Sequence, residues 1–130
     1  MFKISIKISF YKMRYDPLFR YRGWDRKLFK RIRGYNGNVN DHHIIPKQHR
    51  NHKLLKEVGY DVNSRFNLLI MPTEKGIDSL NLHPNTIYHS CHPEYNKMVK
   101  YELDRIYKKD DSEYQLWLYV SWLKKFLTDL

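Results

Sequence analysis

Asp41-His42-His43-Ile44-Ile45-Pro46, Asn67, and the pair His89 and His92 are the residues of this chain whose types and spacing could do chemistry. Hydrolysis of a phosphodiester needs a base, a cation and a way of orienting both. Two adjacent histidines on a strand divide that work, because successive side chains leave opposite faces of the pleat. One imidazole can bind a metal while its neighbour, with a pKa near neutrality, activates water. His89 and His92 stand three apart at the expected start of a helix, so they share a face and can reach one ion. Cys91 lies between them, which leaves open a zinc site built from His89, Cys91 and His92. Asn67, taken alone, reads as a turn residue at a strand edge, and His83 before Pro84 as a loop histidine.

The elements that must position these residues follow from periodicity and punctuation. Phe2, Ile4, Ile6, Ile8 and Phe10 alternate with Lys3, Ser5, Lys7 and Ser9, a half-buried strand. Trp24, Leu28 and Ile32 lie four apart within a run holding Arg26, Lys27, Lys30, Arg31 and Arg33. That spacing predicts a short basic amphipathic helix with an apolar side, stopped by Gly34. A short strand over Val39–Ile45 carries the histidine doublet and ends at Pro46. A helix over Gln48–Val58 is stopped by Gly59, a turn covers Asp61–Ser64, and a second strand over Phe66–Met71 is ended by Pro72. Residues 73–88 read as loop. Pro93 suits the first position of a helix whose apolar side is Tyr95, Met98, Val99, Leu103, Ile106 and Tyr107. Ser112 and Gln115 make a capping-box pattern before a last helix with Leu116, Val120, Leu123 and Leu127 on one face.

The chain has 130 residues and 42% hydrophobic content, enough for one folded domain. The formal net charge is +10, unevenly placed: residues 1–53 carry 14 Lys/Arg against 3 Asp/Glu, whereas the remainder is close to neutral. A basic third beside a neutral remainder is the electrostatic footprint of a polyanion-binding protein, though a solvated basic surface has the same composition. One cysteine excludes an intramolecular disulfide and fits a reducing compartment. No apolar run approaches the ~18 residues of a membrane span, and Lys3 and Lys7 interrupt what would otherwise read as a signal peptide. The expected location is intracellular or virion-associated, away from membranes.

The order of the motifs resembles the ββα-metal nucleases of the HNH and endonuclease VII superfamily, and within it the branch named AHH for its Ala-His-His motif. The matching text is Asp41-His42-His43-Ile44-Ile45-Pro46, Gly59-Tyr60-Asp61-Val62-Asn63, Asn67-Leu68-Leu69-Ile70-Met71-Pro72 and His89-Ser90-Cys91-His92-Pro93-Glu94-Tyr95, about residues 41–107. The resemblance implies that His43 is the general base, that Asn67 orients it through a hydrogen bond to its backbone or ring, and that His42, His89 and His92 ligate one divalent ion, which would stabilise charge on the phosphate and supply a bound water to the leaving oxygen. Magnesium, manganese, zinc and nickel all remain candidates. Asp41 stands where Ala is expected, either as a carboxylate behind the metal or as a salt-bridge partner for a nearby Arg. Leu68 stands where Gly commonly follows the Asn. The expectation is an α+β domain, with residues 1–38 a basic extension and residues 39–130 a nuclease core with C-terminal helices. Its function would be metal-dependent endonuclease action on DNA with little sequence preference, RNA being the alternative substrate, with Arg26, Lys27, Lys30, Arg31 and Arg33 as phosphate contacts. The competing readings are a nucleic-acid-binding or packaging protein that keeps the fold without catalysis, and a structural zinc module. The sequence identifies no inhibitor partner.

Overall fold

The alternating segment Val39–His43 forms strand β1 and pairs antiparallel with β2, Leu68–Pro72, in the register His42 opposite Leu69 and His43 opposite Leu68. These assignments come from a computed structural model that describes residues 20–86 and 93–129. The strand expected over residues 2–10, together with His89, Cys91 and His92, lies outside them. Helices α1 (Trp24–Ile32), α2 (Lys53–Val58), α3 (Glu74–Ser79), α4 (Pro93–Tyr107) and α5 (Ser112–Asp129) surround the hairpin, so the architecture is the expected small α+β one.

Below the end of β1, the apolar pair Ile44 and Ile45 is fully buried. It packs with Leu54 and Leu55 of α2, Val99, Leu103 and Ile106 of α4, and Leu116, Val120 and Leu123 of α5. Full burial of such side chains contributes about 1.5–3 kcal/mol each. The core therefore anchors the segment immediately after His43. The Tyr95 hydroxyl adds a polar tie by donating to the Ile44 carbonyl at 2.5 Å.

Several local expectations shift. β1 ends at His43, two residues early, because Ile44 N–H turns to the Asn67 carbonyl at 2.8 Å. The helix expected from Gln48 is split into a 3₁₀ turn, Lys47–His49, and α2, whose start is capped by the His52 ring accepting from Leu54 N–H. Gly59 ends α2 at φ 71°, the left-handed geometry that favours glycine. The loop expected over residues 73–88 contains α3, capped by Thr73 Oγ1, which accepts from Gly76 N–H at 3.0 Å. Gly76 disguises this helix, but it is required: a Cβ there would lie 1.9 Å from the Asn38 carbonyl oxygen.

The largest correction concerns α1. Its apolar stripe does not face the core: Trp24 and Ile32 are each 73% exposed and Leu28 is 40% exposed. The helix docks by Arg26 and Lys30. Arg26 Nη2 lies 2.8 Å from Asp41 Oδ1 and Lys30 Nζ lies 2.9 Å from Asp41 Oδ2, with Arg26 and Asp41 almost wholly buried. A short-range apolar pattern loses here to a charged bracket on β1.

Candidate active site

The strand period of two sends His42 and His43 to opposite sides of β1. His43 meets the turn before β2 and the segment before α1. Its Nε2 lies 3.0 Å from Asn63 Oδ1, and its ring meets the edge of Tyr21 at 4.5 Å between centroids. An amide oxygen only accepts, so Nε2 carries the proton and the lone pair is left on Nδ1. Both neighbours are themselves held. Tyr21 N–H donates to the Asn63 carbonyl at 2.9 Å, Asn63 N–H donates to Asp61 Oδ1 at 2.9 Å, and Arg20 ion-pairs with Asp61. Burial pushes the His43 pKa down. The Asn63 hydrogen bond opposes that shift and the Lys47 charge reinforces it, leaving the value below that of ordinary histidine. The imidazole is therefore mainly neutral at neutral pH, the form that can accept a proton.

Asn67 is fully buried and uses its whole hydrogen-bonding capacity. Its Oδ1 accepts from Ile45 N–H at 2.9 Å and from Tyr60 Oη at 2.5 Å. Its Nδ2 donates to the Ile45 carbonyl at 3.0 Å and the Val62 carbonyl at 2.7 Å. Asn67 thus grips the backbone after the histidine doublet, and it is Asn63 that accepts the hydrogen bond from the His43 ring. Sequence reading did not single out Asn63 or Tyr21. The Asp61–Ser64 turn was legible, but nothing local says which turn residue reaches His43.

His42 is 2% exposed and faces α4, its ring 5.2 Å from that of Tyr95 in the first turn of the helix. His92 directly precedes that helix in sequence. Among the described residues no cluster of three or more His, Cys, Asp or Glu is close enough to hold a metal.

A family model described as a nuclease family of the HNH/ENDO VII superfamily with conserved AHH matches residues 25–116. The chain belongs to the AHH nuclease family. Neither a curated protein nor a solved structure matched it. The match begins within α1, inside the segment read as an N-terminal extension, and runs into α5. Nucleases of this superfamily generally use a divalent metal.

Against the family's Ala-His-His, this AHH protein has Asp41-His42-His43. Of the two sequence readings of Asp41, the salt bridge is the one present. Burial alone would raise the Asp41 pKa, but hydrogen bonds from Arg26 and Lys30 outweigh it and hold the carboxyl below its ordinary value. Arg26 and Lys30, expected as phosphate contacts, are thereby turned onto a protein carboxylate. Lys27, Arg31 and Arg33 remain on the exposed side of α1, Arg33 lying over the Phe29 ring at 5.1 Å. Among the described helices none is long and apolar enough to cross a membrane.

Proposed function

We propose that this AHH-family nuclease is a metal-dependent endonuclease that hydrolyses phosphodiester bonds, with DNA as its substrate in preference to RNA. His43 is the general base, and His42, His89 and His92 hold one divalent ion. The observation that carries this reading is the division of the doublet, with His43 among polar and aromatic partners on one side of β1 and His42 turned to the start of α4 on the other. His43 Nδ1 takes the proton from the attacking water, while Asn63 and Tyr21 fix the ring's tautomer and tilt. Asn67 holds Ile45, and with it the strand end, in register.

The donor chemistry of His42 fits a metal, since a buried imidazole directed to a helix start that follows His92 is a nitrogen ligand suited to zinc or nickel and adequate for manganese. A divalent ion bound there would supply positive charge to the phosphate oxygens. The basic surface supports a polyanionic substrate, with phosphate contacts adding affinity without sequence choice.

The test incubates the full chain with plasmid DNA, and separately with RNA, in divalent ions with and without chelator. Metal-dependent cutting of plasmid, lowered roughly 10²-fold or more by His43→Ala while metal affinity is kept, is the expected result. An uncut plasmid, or undiminished cutting by His43→Ala, would refute the assignment. Chelator-induced unfolding without cutting would favour the structural zinc module instead.

A further inference from the structure

The outward face of α1 is unusual for an amphipathic helix, because it joins large apolar side chains to cations. Trp24, Lys27, Leu28 and Arg31, with Arg22 just before the helix, line an open groove of about 450 Å³. Among the described residues that line it, none is acidic. The neighbouring groove of about 420 Å³ shares Arg22 and Lys27 but contains Asp41 with its partners Arg26 and Lys30. The cations of the outer groove thus have no carboxylate among the described residues that line it with them, whereas two of the four cations of the inner groove are paired with Asp41.

Arg22 links this outer groove to the proposed base through Tyr21. Tyr21 lies against His43, and the Arg22 guanidinium lies over the Tyr21 ring at 5.1 Å from its centre. Lys47 Nζ also lies 5.1 Å from that ring. Arg22 adopts φ 61°, a left-handed conformation that costs a non-glycine residue energy and persists only when its surroundings impose it. The chain thus runs from His43 through Tyr21 and Arg22 to an exposed indole flanked by cations.

We propose that the outward face of α1 binds a nucleic-acid strand leading away from the cleavage point, with Trp24 stacking on an unpaired base and Arg22, Lys27 and Arg31 contacting its phosphates. The inference rests on the reading of His43 as base. Charge complementarity selects a polyanion, and the indole selects one that also presents flat apolar faces. Base pairing hides those faces in a duplex, so the groove favours single strands, or DNA with locally unpaired bases.

The experiment uses the full chain carrying His43→Ala, so that substrate survives, and measures fluorescence anisotropy on a labelled single-stranded oligonucleotide and on its duplex over a salt series. Trp24→Ala is expected to weaken single-strand binding roughly 5- to 150-fold, the range for loss of one base–aromatic stack, with little change in salt slope or in duplex affinity. Trp24→Phe should restore most of that loss. Combined Arg22→Gln, Lys27→Gln and Arg31→Gln should reduce the single-strand slope of log affinity against log salt by about 2, at about 0.7 per phosphate contact. Trp24 is largely exposed, so circular dichroism should show its variants folded. Unchanged single-strand binding by Trp24→Ala, equal losses on both probes, or an unchanged slope in the triple variant would each overturn the proposal. So would binding of anionic lipid vesicles that Trp24→Ala abolishes while oligonucleotide affinity stays the same. Plasmid cutting by the chain with His43 intact is scored in parallel. If cutting occurs and Trp24→Ala binds normally, the groove fails while the active-site reading stands. If cutting is absent, the active-site reading itself fails.

Discussion

Replacing Asn67 should unfold this protein more readily than any change at its surface, and the size of the effect follows from the four hydrogen bonds of one side chain. Asn67→Ala removes the partners of Ile45 N–H, the Ile45 carbonyl and the Val62 carbonyl together, as well as one partner of the Tyr60 hydroxyl. Ile45 is wholly buried and Val62 nearly so, so water cannot readily replace what is lost. A buried polar group left without its bond costs about 1–3 kcal/mol, and partial relaxation makes such losses less than additive. A total near 4 kcal/mol is expected, against an overall stability of about 5–15 kcal/mol for a domain. The thermal midpoint should fall by roughly 10–20 °C.

Asn67→Asp separates shape from hydrogen bonding. The new carboxyl keeps the volume but aims oxygen at the Ile45 and Val62 carbonyls. Burial and those two carbonyls raise its folded pKa above the unfolded value. Its stabilising, protonated form is thus complete below the ordinary carboxyl pKa and is lost as pH rises through the folded value. Stability of this variant should decline by up to about 1.4 kcal/mol per pH unit in that window, relative to the parent. Urea unfolding followed by far-ultraviolet circular dichroism over a pH series measures both variants. An Asn67→Ala protein within about 1 kcal/mol of the parent, well below the expected loss for buried unpaired groups, would refute the reasoning. So would an Asn67→Asp protein whose stability relative to the parent does not change with pH.

Asp41→Ala restores the family's own residue yet should destabilise the chain by about 3 kcal/mol, because it leaves Arg26 buried without its carboxylate; chemical denaturation would measure the loss. The stabilisation from Asp41 is complete above the ordinary carboxyl pKa and is lost as pH falls through its depressed folded value, so the difference between parent and Asp41→Ala should shrink in strong acid. Gly76→Ala should lower stability by about 2 kcal/mol despite the better helix propensity of alanine, since the Asn38 carbonyl must move aside; a thermal melt at the parent's level would contradict it. Asn63→Ala should leave the fold intact but cut nuclease activity roughly tenfold or more, part of the 10²–10⁴ that a general base supplies. Nitrogen-15 NMR should then show His43 losing its single Nε2–H tautomer, and a spectrum identical to the parent's would show that Asn63 does not set it.

What the sequence determined by itself was local. Alternation along Val39–His43 separates His42 from His43 because the period of a strand is two whatever surrounds it. Pro93 and Gly59 mark a helix start and a helix stop through restrictions on their own backbone angles, and the core faces of α4 and α5 are legible because helical spacing brings Val99, Leu103 and Ile106, or Leu116, Val120 and Leu123, together without help. The order of these elements also carried the family resemblance. Tertiary structure decided which side of α1 is inside. Trp24, Leu28 and Ile32 form the better apolar stripe, but hydrophobic periodicity gives only the angle between faces, not the partner that one of them will meet. That partner is Asp41, a carboxylate fifteen residues beyond Arg26, which ion-pairs with both Arg26 and Lys30 and leaves an indole in solvent. The motif order singled out Asn67 and not Asn63; only the pairing of β1 with β2, which carries the distant turn onto the end of β1, gives Asn63 to the His43 ring and Asn67 to the Ile45 backbone. Contacts of this kind depend on where two remote segments meet, and no local period or propensity encodes that meeting.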